Sequence, residues 1–153
     1  MENLETARKN GSKIIWAALA FEKQLETIIL RFFFEDSKDK MKFFHTHILS
    51  TDWFALSAKR KFLLALINDQ NLLMGKDKQA FDKYTKEIIS FRNAFTHGDI
   101  VEKSDGTFIA YFEGQTKEKE LNDEYWNAVE QTFEQAIELT EKINQKIGKT
   151  TSA

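Results

Sequence analysis

Cysteine and proline are both missing from the 153 residues, and the six glycines stand singly. Without thiols, a disulfide framework, thiolate catalysis and zinc–thiolate sites are all excluded. Average usage of about 5% would place roughly eight prolines in a chain of this length. A chain with none can sustain long helices, because nothing removes a backbone donor from their interiors. Isolated glycines build no phosphate-cradling loop, and serine-nucleophile and Walker sequences are absent as well. Long apolar runs are lacking too: the richest, IILRFFF (28–34), is interrupted by Arg31 and is far too short to span a bilayer. The N-terminal MENLETARKNGSK has no apolar core of the signal-peptide kind. These absences predict a soluble, cytoplasmic protein with no membrane partner. Neither sign of charge dominates. At a formal net charge of −2 no global positive field draws in nucleic acid, so binding to RNA has to rest on a local patch.

What is present is apolar and aromatic. Hydrophobic residues make up 42% of the chain and 14 of them are phenylalanine, enough for one domain, 1–153, with an aromatic core. The first strong helix is expected after Gly11, with Ser12 as its N-cap. Its stripe is Ile14, Ala18, Phe21, Leu25, Ile28 and Phe32, widened by Leu19, Ile29, Leu30, Phe33 and Phe34. One packed face does not need so much apolar surface, which suggests burial on two sides, the second against another subunit. Residues 41–49 (MKFFHTHIL) fit no single period. A helix capped by Ser50, Thr51 or Asp52 follows, with Leu56, Leu63, Leu66 and Ile67 inward and Lys59, Arg60 and Lys61 mostly outward. A turn containing Gly75 leads to a helix over roughly 77–97, striped by Phe81, Tyr84, Ile88, Phe91 and Phe95. Gly98 stands at its C′ position, where a residue without Cβ can take a positive φ.

After Gly98 the period changes from helical to alternating. IVEKSDGTFIAYFEG carries two β-rich runs about Asp105-Gly106, a type I′ hairpin signal, and QTKEKEL suits a third, exposed edge strand. Alternation separates Phe108 and Phe112 from Tyr111 unless a bulge intervenes. The last helix is expected from Asn122 to Gly148, with Leu121 and Trp126 as a hydrophobic staple and a frayed tail over 149–153. The resulting expectation is an all-α, up-and-down four- or five-helix bundle, with a small β-hairpin insert at about 99–121 before the last helix.

The sequence SFRNAFTHGDI (90–100) carries the candidate site. Asn93 and His97 are one turn apart on the same side of the helix, and Arg92 lies about 140° round from His97. On one straight helix the two cationic groups diverge. They converge if the helix loosens at its end, if the long arginine folds across, or if a second copy supplies the complement. Taken as ordinary residues, the three are helix-end capping and surface groups.

Arg92-Asn93-Ala94-Phe95-Thr96-His97, close to a helix end and followed by Gly98, resembles the HEPN family (the higher eukaryote and prokaryote nucleotide-binding domain). The order of elements is similar too: a long first helix, a SAKRKFLLALI-type helix, the motif helix, an insert and a closing helix. The resemblance implies metal-independent endoribonuclease activity with no cofactor, in which a ribose 2′-hydroxyl attacks the adjacent phosphate. It implies His97 as general acid or base, Arg92 as the cation over the developing phosphoryl charge, and Asn93 as an orienting group. It also implies a homodimer through the motif helix and the first helix, with RNA as substrate. A role as a toxin or phage-defence effector, held by an antitoxin or regulatory protein, comes with it. The family also contains non-catalytic members that bind a protein or a nucleotide. Toxins of this family that are paired with nucleotidyltransferase antitoxins carry a tyrosine two residues after the histidine; here that position is Asp99, so the resemblance does not extend to regulation by modification of such a tyrosine.

Other motifs have plainer readings. Lys59, Arg60 and Lys61 are candidates for holding RNA phosphates, though they suit a solvated helix face as well. His45 and His47 diverge as an i, i+2 pair on a helix, so no metal site is expected there. Phe32, Phe33 and Phe34 read as core or subunit interface rather than as platforms for stacked bases.

Overall fold

The computed structural model describes residues 4–150, Thr150 by its backbone alone. The chain is mostly helical: α1 (Leu4–Phe34), α2 (Lys38–Phe44), α3 (Leu56–Gln70) and α4 (Gly75–His97) precede a small sheet of β1 (Asp99–Lys103), β2 (Gly106–Phe112) and β3 (Thr116–Glu120), and α5 (Asp123–Thr150) closes it. Residues form two compact units, Met1–Leu19 with Lys86–Gln135 and Ala20–Thr85 with Ala136–Ala153. The first holds the sheet and the motif end of α4.

Three helix boundaries differ from the sequence expectation. α1 begins at Leu4, so Ser12 is interior and its hydroxyl donates to the Arg8 carbonyl at 3.1 Å. Gly11 does not mark a helix start. A Cβ there would lie 2.5 Å from Cδ1 of Phe95, whose ring packs on the bare backbone. That ring is itself held, stacked on Trp126 at 5.8 Å and set edge-on to Tyr125 at 6.4 Å. Gly11→Ala is therefore expected to cost about 1–3 kcal/mol through overpacking. Urea denaturation reads this as a lowered midpoint, and adding Phe95→Leu should recover part of it. α5 runs through Gly148 to Thr150, so its expected end at 148 is not observed; of the expected frayed tail, Lys149 and Thr150 are helical and 151–153 lie outside the described residues.

None of Ser50, Thr51 and Asp52 caps α3. Thr51 precedes a single 3₁₀ turn, Asp52–Phe54, and the N-cap position of α3 falls to Ala55. The unassigned 41–49 stretch is the end of α2 running into one π-helical turn, His45–Leu49. Asn71, in left-handed geometry at φ 52°, ends α3.

The start of α5 is as read. The Asn122 side chain accepts from the Tyr125 N–H at 2.9 Å, and Leu121 and Trp126 join one apolar cluster with Ala7, Ala94 and Ile109. The insert is a three-stranded antiparallel sheet in the order β1-β2-β3: the expected hairpin, with the expected exposed edge strand of QTKEKEL present as Thr116–Glu120. Its first turn is Ser104-Asp105, since Lys103 pairs with Gly106. Neither turn residue has a positive φ, so the expected type I′ turn about Asp105-Gly106 is not formed. The β2–β3 register is unbroken from Phe108↔Glu120 to Phe112↔Thr116. Alternation therefore holds: Phe112 is 76% exposed, while Ile109 and Tyr111 share the face packed on the apolar cluster.

Candidate functional site

α4 keeps α-helical hydrogen bonding to its last residue, and the Gly98 N–H still reaches the Ala94 carbonyl at 2.8 Å. The helix does not loosen before His97. Gly98 is not in left-handed geometry, contrary to the expectation at C′; a Cβ there would lie 2.4 Å from the Ala94 carbonyl oxygen and 2.7 Å from that of Ala110. Glycine is required because the helix end sits directly on the backbone of β2. That contact fixes where His97 is presented.

Asn93 and His97 are exposed, and Arg92 is half-buried with a neighbouring group engaging it. A regular helix sets the Arg92 and His97 side chains off from the backbone about 140° apart. Within one chain, only a folding-over of the arginine side chain would join them. Ala94, between Asn93 and Phe95, is buried in the cluster with Ile109 and Leu121, which fixes the rotation of the helix about its axis.

A groove of about 410 Å³ opens between α4, β2, β3 and α5. Glu87, Ser90 and Phe91 line it from α4, and Tyr111, Glu113, Lys117, Tyr125 and Thr132 from the other elements. Ser90 and His97, seven residues apart, lie within about 20° of one another around the helix and about 10 Å apart along it. The polar groups are tied down. Thr132 donates to Glu87 at 3.1 Å, and Lys117 donates to Glu113 at 2.5 Å. The lysine hydrogen bond, aided by the Ser90 hydroxyl, holds the Glu113 carboxyl below its usual range, and Glu113 in turn raises Lys117.

Burial pushes the Tyr125 phenol well above the usual tyrosine range, with nearby Tyr111 adding to the effect. A group whose protonated form is favoured in the native state stabilises it fully below the unfolded pKa, and that contribution is lost as pH rises. Stability should accordingly fall from about pH 10 upward, as Tyr125 ionises only in the unfolded chain. Thermal denaturation across that range checks it, and Tyr125→Phe should flatten the slope.

The groove was not anticipated from the sequence. Its residues come from four elements, and only the alternation at Tyr111 gave any warning of an inward-facing polar side chain.

The expected outward basic face of α3 holds for Lys61 alone. Lys59 is 3% exposed, its ammonium 2.5 Å from Glu22 Oε1 and 2.7 Å from Glu26 Oε1. Arg60 is 9% exposed and paired with Asp82, and its Nε is buried without a hydrogen-bond partner among the described residues. Both side chains met carboxylates of other helices, which made burial affordable. His45 Nε2 lies 3.2 Å from Glu26, and the His47 ring packs on Phe43 at 4.5 Å. Among the described residues no group of three or more His, Cys, Asp or Glu is placed to hold a metal ion, and no helix is long and apolar enough to cross a membrane. Phe33, Phe43 and Trp53 are exposed, Phe33 against Phe62 at 5.7 Å, while Phe32 and Phe34 are half-buried. No family model, curated protein or solved structure matches this chain.

Proposed function

We propose that the chain is a metal-independent endoribonuclease of HEPN type, working in the cytoplasm as a homodimer in which Arg92 of one copy and His97 of the other act on one phosphate. The observation that carries this reading is the regularity of α4 up to His97: Asn93 and His97 are exposed one turn apart, and Arg92 branches from the helix about 140° round from His97. Two such helix ends facing each other satisfy the chemistry that one alone does not. In the reaction the ribose 2′-hydroxyl gives up its proton and its oxygen bonds to phosphorus. The bond from phosphorus to the 5′-oxygen breaks, and that oxygen takes a proton. The products are a 2′,3′-cyclic phosphate and a 5′-hydroxyl. His97 moves the proton, Arg92 meets the charge on the phosphoryl oxygens, and Asn93 orients the imidazole or the phosphate. An activity of this kind suits a toxin or phage-defence effector, with an antitoxin or regulatory protein to hold it.

Incubation with RNA in EDTA tests the proposal. The parent should produce cyclic-phosphate ends, and His97→Ala should cleave about 10²–10⁴-fold more slowly. Equal cleavage by His97→Ala, or none by the parent with any RNA, rejects it.

A further inference from the structure

We infer that the groove lined by Ser90, Phe91 and Tyr125 is a binding site for a guanine base. Its place in the reaction rests on the proposed nuclease reading; the binding itself does not. Phe91 and Tyr125 form one aromatic wall, their rings edge to face at 6.0 Å, and Tyr111 adds a third ring to the same cavity. Planar heteroaromatic ligands are favoured by such walls, because every base presents a π-face to stack or to meet an edge. The volume of about 410 Å³ is in the range of small-molecule sites and suits one base with its sugar.

The polar lining selects among the bases. Glu87 and Glu113 are acceptors only, and the hydroxyls of Ser90, Thr132 and the two tyrosines both donate and accept. Guanine alone offers adjacent N1–H and N2–H donors that one carboxylate accepts together, with O6 left for a hydroxyl to donate to. Adenine and cytosine bring a single exocyclic amine beside an acceptor nitrogen, which a carboxylate repels. Lys117 and Lys119 balance the two carboxylates and suit the sugar-phosphate side of the ligand. With Ser90 in the groove and His97 further along the same face by about 10 Å, a base seated here puts its phosphate toward the imidazole. On the nuclease reading this makes the chain prefer to cut next to guanosine.

The experiment is calorimetric titration of guanosine 5′-monophosphate, with the adenosine, cytidine and uridine monophosphates as comparators, into the full chain. Binding of the guanine nucleotide about tenfold or more tighter than the others supports the site. Glu87→Gln, which keeps the shape and the Thr132 contact, should weaken it about tenfold, and Tyr111→Leu, which removes a stacking wall, should weaken all four nucleotides. No binding, equal binding of the four nucleotides, or an affinity unchanged in both variants overturns the inference. RNA cleaved with no preference next to guanosine, in the absence of nucleotide binding, overturns it while leaving the nuclease intact. Selective binding without cleavage of any RNA upholds the site and removes the nuclease.

Discussion

Refolded together, Arg92→Ala and His97→Ala chains should recover roughly a quarter of the parent's RNA cleavage, although each alone is reduced by about 10² or more. The arithmetic follows from two-fold symmetry. If each site takes arginine from one copy and histidine from the other, a mixed dimer has one site with both groups intact and one with neither. Random pairing makes about half of the dimers mixed, each with one working site of two. A site built within one chain predicts no recovery at all, because every chain then lacks one of its own residues. Cleavage by the mixture that stays at the level of the separate variants would sink the shared site, whatever the parent does.

The largest expected loss of stability is at Lys59. Its ammonium is buried, and Glu22 and Glu26 both depend on it. Lys59→Ala removes the cation that two nearly buried carboxylates share, a change that costs about 3–5 kcal/mol. That is a large part of the stability of a domain this size, and urea denaturation should show a much lower midpoint or an unfolded chain. Lys59→Met combined with Glu22→Leu and Glu26→Gln should regain most of the loss, since an apolar replacement removes the desolvation penalty along with the attraction. A single Lys59→Ala chain as stable as the parent would show the ion cluster to be dispensable. A much lower midpoint would show that this lysine, closed over by carboxylates of the same chain, serves its own fold.

These residues mark how far sequence reasoning reached. Asn122, Leu121 and Trp126 were legible because a cap and its staple lie within one helical turn, and local spacing contains all of their physics. The stripe of α4 and the period change after Gly98 were legible for the same reason. Lys59 was misread because its carboxylates stand 37 and 33 residues away, where no periodicity points. Gly11 and Gly98 were taken for punctuation. Their actual causes are a ring and a strand backbone pressed against them, neither adjacent in the chain. At the candidate site the motif helix and its exposed Asn93 and His97 were visible, and the groove was not. An alternating segment announces which side of a strand is inward, but not what the other elements bring to meet it.

The unit that carries the motif is assembled from Met1–Leu19 and Lys86–Gln135, with the whole of 20–85 intervening. During synthesis the opening turns of α1 therefore emerge long before their neighbours exist. Ala7 and the bare backbone at Gly11 wait, uncovered, until Phe95, Ile109 and Trp126 have been made. A ribosome that stalls after Thr85 releases a chain without Arg92 and His97, and with the docking notch at Gly11 still vacant.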